Sequence, residues 1–115
     1  MPASWVAAAT TPSQSFNRGY GLLWWKNGEG PTESPLGSGS DEALYAWAPS
    51  DLFAAHGFGS QFIDVIPSLD MVIVRFGKDP TADMTVTNAT DVLMSDENTD
   101  KHREILEPIL RAVRP

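Results

Sequence analysis

The residues with the clearest chemical potential are His56, Gly57, Phe58 and Gly59, the tetrapeptide HGFG within the stretch FAAHGFGSQFIDVIPSLDMVIVRFG at 53–77. An imidazole titrates near neutral pH and can take or give a proton. Glycines at a strand end let a ligand approach the backbone closely, and the amides that follow can donate to a carbonyl or an oxyanion. Such a wall needs a nucleophile, and the motifs that would supply one are missing. There is no G-x-S-x-G elbow and no phosphate-cradling G-x-x-x-x-G-K-[ST]. His56 and His102 are far apart in sequence, and no H-E-x-x-H, C-x-x-C or acidic cluster with ligand spacing accompanies them. The sequence therefore predicts neither a metal nor a cofactor. HGFG lies between two strand patterns, so no helix N-terminus is there to hold a phosphate.

The elements that must position this tetrapeptide can be read from periodicity. Residues 52–56 form a strand pattern that ends where Gly57 and Gly59 permit a turn. Residues 61–66 alternate Phe62, Asp64 and Ile66 against Ile63 and Val65, and 71–76 is a near-continuous apolar run. Pro67 to Asp70 joins the two, which predicts an antiparallel hairpin. Upstream, YGLLWW at 20–25 reads as a strand buried on both faces. Residues 27–41, NGEGPTESPLGSGSD, are almost all turn formers and predict a flexible loop. The run 43–49 is either a short strand or a covering segment, and 78–100 reads as a polar excursion over the surface. A first helix is expected over 2–9 with Ser4 as N-cap. A C-terminal helix, capped by Asn98 or Thr99, carries Ile105, Leu106, Ile109, Leu110 and Val113 on one face, with Arg111 and Arg114 at its negative end. Pro108 costs a helix interior about 3 kcal/mol, so the helix either begins near Glu104 or kinks there. The fold class that follows is α+β, an antiparallel sheet covered by a C-terminal helix.

Composition narrows the partners. The chain has 115 residues and is 42% hydrophobic, enough for one modest core over 1–115. Fifteen acidic residues against 8 basic ones give a net charge of -7, which leaves no basic field for nucleic acid or an anionic membrane. Without cysteine there is no disulfide and no thiolate chemistry, and the compartment stays open. No apolar run approaches the roughly 20 residues of a membrane helix, and the N-terminus lacks the pattern of a signal peptide. The sequence thus reads as soluble, cytoplasmic by default.

The succession YGLLWW, a Gly/Pro loop, FAAHGFGSQFIDVIPSLDMVIVRFG and a terminal amphipathic helix resembles the C-terminal third of the serine beta-lactamase and penicillin-binding-protein superfamily. It is most similar to the class C beta-lactamase-related hydrolases, which include esterases and 6-aminohexanoate-dimer hydrolases. The resemblance covers most of the chain and is most specific over 53–77. It implies that the strand ending at His56 and Gly57 forms one wall of an active site, in place of a K-T-G or H-x-G box. With the box at Ala55-His56-Gly57, Gly57 would match the box glycine, the Phe58 amide would supply an oxyanion donor, and His56 would line the pocket beside Gly59; if His56 takes the basic position, the box falls one residue later. The same resemblance requires a nucleophilic serine in S-x-x-K and a tyrosine in Y-x-N. Neither occurs: no serine is followed three residues later by lysine, and neither Tyr20 nor Tyr45 is followed by asparagine at the second position. The expectation is a partial domain with no catalytic residue of its own. It would act on a small amide, ester or lactam only when completed, and could self-associate through an open sheet edge. The alternative is a non-catalytic binding or interaction domain derived from that fold.

Other residues carry plainer readings. Trp24 and Trp25 are expected to serve the core and the cover of the sheet, and Asp70 the turn. Gln61 can face the pocket or the edge. His56 is either a pocket residue or a hydrogen-bonded strand-end histidine. His102 and the acidic run 96–100 read as a solvated helix entry.

Overall fold

The structure is a computed structural model and describes residues 2–28, 32–33, 39–40, 45–57, 61–76 and 96–113. Its elements in chain order are α1 (Ala3–Ala9), β1 (Trp25–Lys26), β2 (Thr32–Glu33), β3 (Gly39–Ser40), β4 (Phe53–Gly57), β5 (Gln61–Ile66), a 3-10 turn (Pro67–Leu69), β6 (Met71–Arg75) and α2 (Asp96–Val113). Strands β1, β4, β5 and β6 form a four-stranded antiparallel sheet in that order, while β2 and β3 form a separate ladder. The chain is therefore a small α+β protein with a four-stranded antiparallel sheet and a C-terminal helix.

The β5–β6 hairpin forms as its alternation predicts, with Phe62 opposite Arg75, Asp64 opposite Ile73 and Ile66 opposite Met71. Asp70 closes the connection with a left-handed backbone, φ 49°, and its amide donates to the Pro67 carbonyl at 3.0 Å. A short aspartate tolerates that conformation better than most residues. Asp51 anchors the same turn from the residues just before β4: its carboxylate accepts the Ser68 amide at 2.6 Å and the Ser68 hydroxyl at 2.9 Å.

Pairing of β4 with β5 places Ala54 opposite Asp64 and His56 opposite Phe62. Because side chains alternate across a strand, one face of the sheet carries Ala54, His56, Phe62, Asp64 and Ile66. Over it lies a core of Tyr45, Leu52, Ala54, Ile66, Leu106 and Leu110. Full burial of each large aliphatic side chain there contributes about 1.5–3 kcal/mol.

Four sequence expectations need correction. YGLLWW is not a strand buried on both faces: only Trp25 enters β1, and Tyr20 bridges back to Trp25 across a tight reversal. The Gly21 amide donates to the Trp24 carbonyl at 2.8 Å, Leu23 adopts φ 67°, and Leu22 and Leu23 are exposed. The reversal is enforced by close packing, because a Cβ on Gly21 would lie 2.2 Å from the Ala9 carbonyl oxygen at the end of α1. Ser4 lies inside α1 rather than at its cap, which is Pro2. Helix α2 starts at Asp96, ahead of Asn98 and Thr99, so neither is its N-cap, and it runs through Pro108 instead of beginning near Glu104. Buried Leu106 and Leu110 on either side offset the hydrogen bond that proline removes. Finally, the buried stripe of α2 is His102, Leu106 and Leu110, whereas Ile105, Ile109 and Val113 remain partly exposed.

Residues 45–48 form a turn over the sheet, a covering segment and not a strand, with the Ala48 amide donating to the Tyr45 carbonyl at 2.9 Å. Asn27 holds it in place. Its Nδ2 donates to the carbonyls of Tyr45 (2.9 Å), Ala48 (3.3 Å) and Pro49 (2.9 Å), and its Oδ1 accepts the Tyr45 amide at 2.7 Å. Within 27–41, where the sequence predicts a loop, Thr32 pairs with Ser40 and Glu33 with Gly39. Trp24 and Trp25 pack as expected, edge to face on Phe53 and on Tyr20. Of the surface excursion expected over 78–100, residues 78–95 lie outside the described residues, as does Arg114, and 96–100 are instead the first turns of α2.

Candidate functional site

The inner face of the sheet ends in a chain of four side chains drawn from four parts of the sequence. Asp64 arrives on β5, His102 on α2, Tyr45 on the covering turn and His56 on β4. The Asp64 Oδ2 lies 2.9 Å from His102 Nε2, His102 Nδ1 lies 2.8 Å from the Tyr45 hydroxyl, and that hydroxyl lies 2.5 Å from His56 Nε2. Strand alternation turns Asp64 inward between Phe62 and Ile66, and helical spacing turns His102 inward one turn before Leu106. Asp64, His102 and Tyr45 are almost completely buried. Aromatic contacts fix the rings: Phe62 stacks on His102 with centroids 4.1 Å apart and planes 19° apart, and Tyr45 meets His102 edge to face at 4.8 Å.

His102 is thus not the solvated helix entry that its acidic neighbours suggest. A buried carboxylate is costly unless paired, and His102 is the group that pairs with Asp64. One carboxylate oxygen, Oδ1, is buried with no hydrogen-bond partner among the described residues, so negative charge in this pocket is only partly satisfied. Burial, and after it the charge of Asp64, pushes the Tyr45 phenol well above its ordinary value of 10.0, and the hydroxyl stays protonated at neutral pH.

His56 stands at the outer end of the chain. The residue is exposed, yet its ring is crowded by Phe62 at 5.0 Å, His102 at 5.8 Å, Tyr45 at 5.9 Å and Trp25 at 6.1 Å. Loss of water around the ring, and then the second imidazole, lower its pKa from 6.5 to about 3. Water on the open side of the residue moderates that shift, but its direction keeps His56 neutral at physiological pH.

Of the sequence-predicted wall, His56 and Gly57 lie at the end of β4, with Gly57 opposite Gln61. Phe58 and Gly59 lie outside the described residues. His56 is hydrogen-bonded inward through Nε2 and leaves Nδ1 without a hydrogen-bond partner among the described residues. Sequence reasoning missed Tyr45, Asp64 and His102. The signals were present: an acid between Phe62 and Ile66 on one strand face needs a partner, and a histidine spaced four and eight residues before Leu106 and Leu110 belongs to their stripe.

Elsewhere, a shallow cleft of about 750 Å³ runs between α1 and the far end of β4, lined by Val6, Thr10, Lys26, Asn27, Asp51 and Phe53 among others. No residue of the four-member chain lines it, and Asp51 is already engaged by Ser68. Among the described residues no group of three or more histidine, cysteine or acidic side chains is arranged to hold a metal ion, and no helix is long and apolar enough to cross a membrane. No protein-family profile, curated protein or solved structure matches the chain.

Proposed function

We propose that this chain is the C-terminal part of a beta-lactamase-related serine hydrolase, contributing the third active-site box and the oxyanion wall to acyl transfer on an amide, ester or lactam. The observation that supports this reading is the position of His56 and Gly57. They end a strand of an antiparallel sheet that continues into a hairpin and is packed on one face by the terminal helix. An imidazole and a strand-end backbone at that position suit a carbonyl substrate. The nucleophilic serine, its lysine and the assisting tyrosine would come from a separate segment bearing S-x-x-K and Y-x-N, and this chain alone would be inactive. Val72 and Val74 on the outer face of β6, and Phe76 just beyond it, 61%, 51% and 74% exposed, suit a sheet that takes a second layer there. The same exposed side chains also favour a second reading, a non-catalytic domain that uses this face to bind a partner protein.

The test is a hybrid in which this chain replaces the last third of a beta-lactamase-related esterase that keeps its S-x-x-K and Y-x-N segments. Turnover of a short-chain nitrophenyl ester by the hybrid, lowered by His56→Ala, is the expected result. A cooperatively folded hybrid without turnover would overturn the hydrolase reading. The isolated chain should give no covalent adduct with a fluorophosphonate by intact mass. An adduct would show that a serine of this chain is itself a nucleophile.

A further inference from the structure

We propose that Asp64, His102, Tyr45 and His56 form a proton relay, in which a proton taken up at the exposed His56 is delivered to the buried His102–Asp64 pair. The tautomers follow from the donor and acceptor capacities of the four groups. With Asp64 ionised, His102 Nε2–H donates to Oδ2, which leaves Nδ1 as an acceptor. The Tyr45 hydroxyl then donates to His102 Nδ1, and its oxygen accepts from His56 Nε2–H. In this state His56 is neutral and its Nδ1 carries a free lone pair.

Adding one proton to His56 Nδ1 sets off two shifts along existing hydrogen bonds. The Nε2 proton of His56 passes to the Tyr45 oxygen as the Tyr45 proton passes to His102 Nδ1. Tyr45 ends as a neutral phenol with its hydrogen bonds reversed, now donating to His56 Nε2. His102 ends as an imidazolium beside the Asp64 carboxylate, and His56 ends neutral with its proton on Nδ1. One proton enters and one positive charge appears, displaced from the surface to the core.

Three observations favour that placement of charge. The distances of 2.9, 2.8 and 2.5 Å form an unbroken hydrogen-bond path. The Asp64 Oδ1, buried with no hydrogen-bond partner among the described residues, adds negative potential at the His102 end. Crowding by aromatic rings disfavours an imidazolium at His56, in keeping with its lowered pKa. Among the described residues of the sheet, Arg75 on β6 sits opposite Phe62 on this face, and Trp25 is the β1 residue on this side, while Lys26 shares the opposite face with Phe53.

A surface imidazole that accepts a proton without becoming charged suits a site that deprotonates a hydroxyl or a water during acyl transfer. That use rests on the hydrolase reading, whereas the relay does not. Long-range proton–nitrogen correlation spectra of the two imidazoles in the full chain, recorded from about pH 8 to about pH 4 across the range where histidines titrate, test the relay directly. The expected result is one shared midpoint at which His102 gains its second N–H while His56 stays neutral and moves its proton from Nε2 to Nδ1. Tyr45→Phe, which keeps the ring and removes the bridge, should abolish the tautomer switch of His56. The relay is overturned if His56 becomes doubly protonated, if the two rings titrate at separate midpoints, if neither takes up a proton in this range, or if Tyr45→Phe leaves the switch intact. Should Tyr45→Phe not fold, the wild-type spectra alone decide. Loss of turnover in the esterase hybrid would leave these spectra unchanged, so the two proposals fail separately.

Discussion

The two faces of the sheet are built from the same strands with the same alternation, yet they are finished differently. The inner face buries Ala54, Phe62, Asp64 and Ile66 under α2 and the Tyr45 turn, whereas the outer face leaves Val72, Val74 and Phe76 open. Apolar side chains are plentiful on both, so hydrophobicity alone does not decide which face is covered. The inner face is distinguished by a carboxylate that is stable only if α2 brings His102 to it. A misplaced helix would strand a buried charge, and burying an unpaired charge costs more than losing one apolar contact. The polar chain thereby ties the register of α2 to that of β5.

This contrast can be broken from the inside. His102→Ala should have the largest effect, about 3–5 kcal/mol, because it leaves the Asp64 carboxylate buried without its partner; chemical denaturation followed by circular dichroism measures it. Leu106→Ala comes next, at about 2–5 kcal/mol for a large-to-small change at a fully buried site. Tyr45→Phe should cost about 1–3 kcal/mol, since it leaves two imidazole nitrogens without their shared partner.

The same variant sharpens the picture at alkaline pH. The phenol is raised in the folded state, so above pH 10 the unfolded chain holds fewer protons than the folded one, and stability must fall as pH rises. Wild type should therefore lose melting temperature above pH 10 more steeply than Tyr45→Phe. Equal slopes would mean that Tyr45 does not hold its proton against solvent. The smallest effect belongs to the outer face: Val74→Thr should change stability by no more than about 0.5 kcal/mol while reducing any self-association seen by light scattering. A loss comparable to that of Leu106→Ala would mean that the outer face is as tightly packed as the inner one.

The hairpin and the terminal helix were legible because their signals are local. Alternation over 61–66 and the Pro67–Asp70 turn need no knowledge of the rest of the chain. The reversal at Gly21–Trp24 was not, because it is set by the approach of Ala9, a contact invisible in a run that looks like a strand. His56 could be singled out beside its glycines. Asp64, His102 and Tyr45 belong to segments read separately, and what unites them is a tertiary meeting point. The acidic residues before His102 pointed to solvent, and the Leu106–Leu110 spacing, which pointed inward, prevailed.

The Asn27 clamp has a further consequence for how much the chain can change. A single side chain ties the end of β1 to the covering turn by bonding the backbone of Tyr45, Ala48 and Pro49, eighteen or more residues away. Every one of these bonds is to backbone, so the identity of the side chains in the covering turn matters less to its placement than the one amide that holds it. Loss of that amide would release Tyr45 and cut the four-residue chain in its middle, so Asn27, which touches none of the chain's side-chain atoms, governs whether the chain is assembled at all.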